Sequence, residues 1–138
     1  MKRTVIILLT LALAASAWAD DYKVVVHRSN AITSLTKTQV ADYFFKRTTV
    51  WPDKAPIVAV DQPANSPTRE TFSREILRRP VAAVKNHWHQ QVFSGRELPP
   101  VEKAGDRAVI QFIKSTPGAI GYVSASADTG DVKVIAVD

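Results

Sequence analysis

The chain contains no cysteine and a single methionine. Without thiols it has no disulfide framework, no thiolate metal centre and no cysteine nucleophile, so its stability must rest on a hydrophobic core. Glycine is sparse, five in 138 residues, and neither a Walker loop nor a G-x-S-x-G elbow can be assembled from them. Only three histidines occur. His87 and His89 stand two apart in a helical stretch and point to different faces, and His27 ends a strand with no ligand companion, so no metal site is expected. Glu70 and Glu75 cannot share a helix face, which removes the obvious acid/base pair. The sequence therefore reads as a binding protein, not an enzyme, with no cofactor.

Long apolar runs are also missing, except at the start. Met1-Lys2-Arg3 is basic, Thr4 to Ala15 is apolar, and Ala17-Trp18-Ala19 is a small-x-small cleavage pattern. This is a secretory signal over residues 1–19, too short for a membrane span, and no cysteine beside the cut invites a lipid anchor. The expected mature chain, residues 20–138, is a soluble periplasmic domain with no membrane insertion after cleavage. Its 119 residues (138 less 19) suffice for one real core. Losing Lys2 and Arg3 lowers the basic count from 18 to 16, against 13 acids, a surplus of three. That mildly favours anionic ligands or surfaces but is too small for nucleic acid, and no basic run is interleaved with aromatics.

What is present alternates between strand and helix signals. Lys23 to His27 (KVVVH) suits a strand buried on both faces, and Arg28-Ser29-Asn30 turns away from it. Thr36 and Gln39 form a capping box for a first helix with Val40, Tyr43 and Phe44 as its buried stripe, Leu35 and Val40 forming a staple. Thr48 to Pro56 is a loop in which Trp51 plugs the core edge. Pro80 separates two helices. The second carries Val81, Val84, Trp88 and Val92 at helical spacing and ends at Ser94-Gly95. Leu98 to Val101 is extended, and Asp106 can cap a last helix with Val109, Phe112 and Ile113 inside. Ala119 to Val123 is a strand whose Gly121 marks a close backbone approach, and Val132 to Val137 is the last strand. Such alternation predicts a single three-layer α/β domain, a mostly parallel mixed sheet with helices on both faces. Trp51, Trp88 and Tyr122 are read as core, with a ligand groove as their other option. Arg78-Arg79 reads as a solvated helix end in preference to a docking patch.

Function concentrates in Ile57 to Arg79. An apolar strand, Ile57 to Val60, passes through a polar turn into a helix that Ser66 or Asn65 can cap and Pro67 can begin, with Phe72, Ile76 and Leu77 buried and Glu70–Arg74 paired outside. Such a joint aims free N–H groups at one point. Ser66, Thr68 and Arg69 add side-chain donors, and the natural guest is a small oxyanion. Ligands of α/β sheets bind outside the strand carboxyl ends, so the Arg28-Ser29-Asn30 turn is expected at the same edge. A well-capped strand–loop–helix joint with no ligand accounts for the same residues and is the default reading.

Three stretches, Thr36 to Trp51, Val58 to Phe72 and Pro117-Gly118-Ala119-Ile120-Gly121-Tyr122-Val123, together resemble the second domain of the phosphate-binding components of ABC transporters, within the type II periplasmic binding proteins. The resemblance covers nearly all of the mature chain but only about one lobe of a two-lobed receptor. It implies that fold and phosphate as ligand. The family turn reads Arg-x-Asp-Gly-Ser-Gly-Thr; here Gln62, Ala64, Asn65 and Pro67 replace its arginine, aspartate and glycines, and only Ser66 and Thr68 carry over. Lys46 stands where the family has glycine. Two functions follow as expectations: weak phosphate binding at Ser66, Thr68, Arg69, Arg28, Ser29 and Asn30, or an envelope module that has lost its ligand and docks a periplasmic or membrane protein.

Overall fold

The computed structural model describes residues 22–138, and the expected signal segment lies outside them. Six strands form one sheet: β1 (Tyr22–Val26), β2 (Ser34–Leu35), β3 (Val58–Asp61), β4 (Val101–Glu102), β5 (Ala119–Ser124) and β6 (Lys133–Val137). Their spatial order is β2-β6-β1-β5-β3-β4. β1 is antiparallel to both β5 and β6, whereas β2 and β6, β3 and β5, and β3 and β4 pair in parallel. Five strands therefore run one way and β1 alone runs the other. The expected mostly parallel mixed sheet is observed.

Side chains alternate across this sheet as pleating requires. Tyr22, Val24 and Val26 of β1 join Ile120 and Tyr122 of β5 in one core, under α1 (Lys37–Phe44), α2 (Pro67–Phe72) and α3 (Val81–Phe93). Val25, Ala119 and Val123 face the other way and pack on Val109 and Ile113 of α4 (Asp106–Ser115). Gly121 belongs to this second face. A Cβ there would sit 2.6 Å from Val60 Cγ1 and 3.0 Å from Ile113 Cδ1, so glycine lets α4 lie close to the sheet.

The local signals form the elements they predict. Thr36 and Gln39 make the reciprocal capping box at α1, and Ser66 caps α2 with Pro67 in its first turn. After six residues α2 widens into a π-helical turn, Ser73–Leu77, which buries Ile76 and Leu77 side by side and ends at Arg78 in the left-handed conformation (φ 60°). Trp51 is buried and its Nε1 donates to the Gly118 carbonyl at 2.9 Å.

Two expectations fail. Gly105, not Asp106, occupies the N-cap of α4. The Asp106 carboxylate instead accepts from the Ser124 N–H at 2.9 Å and from the Ser124 hydroxyl, tying the helix start to the end of β5. The apolar stripe of α3 stops at Trp88: Val92 is 48% exposed and Phe93 95% exposed. Among the described residues no helix is long and apolar enough to cross a membrane.

Candidate functional site

At the carboxyl end of β3 the chain turns through Gln62 to Ser66 into α2, and the side chains there close on one another. Asp61, Gln62 and Arg69 are each less than 5% exposed. The Arg69 guanidinium donates to the Gln62 carbonyl at 2.8 Å and to Glu102 Oε1 at 3.1 Å, and its Nε lies 3.5 Å from Asp61 Oδ1. Gln62 in turn donates from Nε2 to the Tyr122 carbonyl at 2.9 Å and accepts from the Ser66 hydroxyl at 2.7 Å. The Tyr122 hydroxyl donates to the Asp61 carboxylate, which also accepts from the Gln62 N–H at 2.8 Å.

A buried charge requires a partner and a full set of hydrogen bonds. This cluster supplies both from within: no buried side-chain nitrogen or oxygen among the described residues lacks a partner. Burial pushes the Asp61 carboxyl above its usual range, against the opposing pull of the Arg69 guanidinium, the Tyr122 hydroxyl and the Gln62 N–H. Burial, with the Asp61 charge beside it, raises the Tyr122 hydroxyl and keeps it a donor. One guanidinium faces two carboxylates, those of Asp61 and the half-exposed Glu102, so the cluster offers an incoming anion no surplus of positive charge.

The helix start is equally engaged. Ser66 Oγ accepts from the Arg69 N–H at 3.2 Å, the Ser66 carbonyl accepts from the Glu70 N–H at 3.1 Å, and Pro67 has no N–H to give. Thr68, partly exposed, is the one expected ligand residue of this turn whose N–H and hydroxyl meet no acceptor among the described residues.

Arg28, Ser29 and Asn30 lie elsewhere. β1 runs against β5 and β3, so the turn after β1 falls at the opposite end of the sheet from the turn after β3. There His27 Nδ1 contacts Ser29 Oγ at 2.7 Å, His27 Nε2 contacts the Lys114 carbonyl at the end of α4 at 3.2 Å, and Asn30 Oδ1 accepts from the Ile32 N–H. The Asn30 carbonyl is held by Lys133 Nζ at 2.9 Å. The expected meeting of the two turns therefore does not occur. The reason is strand direction, which the local pattern of KVVVH does not encode.

The residues that organise the site, Asp61, Gln62, Glu102 and Tyr122, were not among the expected ligands. One signal pointed to Asp61: a carboxylate closing an apolar strand, seven and eight residues before Thr68 and Arg69, needs a cation nearby.

No curated protein sequence matches the chain. Solved structures do. A Clostridium perfringens protein described as a phosphate ABC transporter substrate-binding protein, solved with bound phosphate, is 22% identical with a TM-score of 0.67, over 86% of this chain and 45% of that one. An ABC-type phosphate transport receptor from Vibrio cholerae is 20% identical with a TM-score of 0.67, over 86% and 46%. At such identity the likeness shows the fold, and the chain spans about half the length of the structures it matches. Residues 12–135 match a PBP superfamily domain. With the sheet order, the helix layers and that match in agreement, this chain belongs to the PBP superfamily domain family and has the fold of a periplasmic-binding-protein lobe.

Proposed function

We propose that this solute-binding-like lobe acts in the cell envelope as a protein-interaction module, not as a catalyst and not as a phosphate receptor. The buried Arg69 side chain carries this reading. Its guanidinium, the strongest anion contact the turn could offer, is taken by Asp61, Glu102 and the Gln62 carbonyl. An incoming phosphate would have to break these contacts and leave two carboxylates beside it. The exposed Phe93, Leu98 and Val101, near the β4 edge of the sheet in sequence, supply apolar surface of the kind partners cover.

A second reading, weak anion binding, is favoured by Thr68 alone, with one open N–H and one open hydroxyl. Each such bond exchanges with water and contributes on the order of 1 kcal/mol. Calorimetry of the mature protein against phosphate, sulfate and small carboxylates separates the two. The expected dissociation constant for phosphate is no tighter than about 1 mM, equivalent to roughly −4 kcal/mol. Micromolar binding abolished by Arg69→Ala would make the chain an anion receptor and overturn the reading.

A further inference from the structure

Two arginines from different elements meet over one aromatic ring. Phe45 caps the end of α1, and its ring centroid is 4.9 Å from Arg47 Cζ and 5.0 Å from Arg79 Cζ. The His87 imidazole stands edge-on to the same ring, 5.2 Å away. Arg79 is held there by its backbone: its N–H donates to the Ser73 carbonyl at 3.2 Å, and the Ser73 hydroxyl donates back to its carbonyl at 2.5 Å. The residues before the two arginines, Lys46 and Arg78, both adopt the left-handed conformation that glycine takes more easily (φ 58° and 60°). The helix ends thus place cations where the backbone would favour glycine.

The acids nearby do not balance them. Asp42 pairs with Arg47 at 2.7 Å and Glu97 with Lys46 at 3.5 Å, while Arg78 and Arg79 have no ion pair among the described residues. A guanidinium seated over a ring keeps edge N–H groups for an acceptor, and its geometry matches a carboxylate. Asp42 already shows that a carboxylate fits against Arg47.

We propose that Arg47, Arg79 and His87, gathered around Phe45, are a docking site for an acidic segment of a protein partner, its carboxylates spanning the two guanidiniums. This rests on the reading of the chain as an interaction module. A protein segment fits better than a free anion because Arg47 is well exposed. A single carboxylate gains little against water there, whereas several on one chain act together.

The test uses the mature protein and a fluorescein-labelled peptide of glutamates separated by serines, beside the same peptide with glutamine. Anisotropy should show the glutamate peptide binding at low ionic strength and the glutamine peptide not. Arg47→Gln with Arg79→Gln should weaken binding about tenfold, whereas Lys54→Gln with Arg107→Gln, an equal loss of charge at exposed positions elsewhere, should weaken it less than about twofold. The His87 ring, held below its usual range by burial, Arg79 and Arg47, should titrate higher with the peptide bound. Thermal melts establish that both double variants fold. Equal weakening in the two double variants, or no binding by the wild-type protein, overturns the site. So does binding to phosphatidylglycerol vesicles, but not to the peptide, that depends on Arg47 and Arg79; it would assign a lipid headgroup instead. None of these outcomes bears on the closed cluster of Asp61, Gln62 and Arg69, which phosphate calorimetry tests separately.

Discussion

The Tyr122 ring lies flat on Phe72, centroids 3.9 Å apart and planes 8° from parallel, while its hydroxyl reaches past the ring to the Asp61 carboxylate. One residue thus joins the apolar core to the polar cluster at the sheet edge. Tyr122→Phe should keep the stacking and remove the donor. The expected loss is about 1–3 kcal/mol, the cost of a buried acceptor deprived of its partner, read from urea melts. An unchanged midpoint would mean that water reaches Asp61.

Arg69→Ala should be more damaging, because it strips from a buried carboxylate the cation that pairs with it among the described residues. Breaking such a pair from one side costs roughly 3–5 kcal/mol. Chemical denaturation measures it. A loss below about 1 kcal/mol, as for surface pairs, would mean that the guanidinium is solvated.

Asp61 also sets a pH dependence. Its folded pKa is raised, chiefly by burial, so the folded state holds the proton more tightly than the unfolded chain. Stability from this group is complete below the ordinary carboxyl range and declines as pH rises through the raised value. Asp61→Asn, neutral throughout, lacks that decline. The stability difference between the two proteins should shift toward the Asn variant as pH rises from acid to neutral. A shift in the other direction would place the carboxyl below its usual range.

Gly121→Ala should destabilise by about 1–3 kcal/mol, the usual cost of overpacking, since the new methyl meets Val60, Ile113 and Val109 at once. Gly118→Ala should be at least as harmful. Its Cβ would collide with the rigid Pro56 carbonyl, and φ +87° is unfavourable for any side chain. Thermal melts of the two variants check both.

Trp88 is 5% exposed and packs beside Phe45 and His87. Trp88→Ala should cost roughly 3–5 kcal/mol in urea melts, as large aromatic truncations in cores do. A loss below about 1 kcal/mol would revive Trp88 as a groove residue.

The elements that local chemistry specifies were legible in the sequence. Thr36 with Gln39, Ser66 with Pro67, and the run from Ala119 to Val123 each declare a cap or a strand without reference to the rest of the chain. Three valines in β1 announced burial on both faces, and both faces are covered. Strand direction was not legible, because periodicity is the same read forwards or backwards, and with it went the placement of Arg28 to Asn30. Arg69 was legible as a cation at a helix start but not as one already partnered. Its carboxylate partners lie 8 residues before it and 33 after, and only the pairing of β3 with β4 brings Glu102 within reach. The exposed last turn of α3 was hidden for a related reason: helical spacing shows which residues share a face, not whether anything packs against it.

The reversed strand has a consequence for how the chain is made. β1 is the first strand of the sheet, yet its neighbours on either side, β5 and β6, are the last two. The ladders that flank β1 on both sides are complete only once residues 119–137 have been synthesised, and closure then spans roughly a hundred residues. Pairings between such distant segments are slow to form. Closure of the sheet around its reversed strand therefore comes late in synthesis, after every helix of the domain has been made.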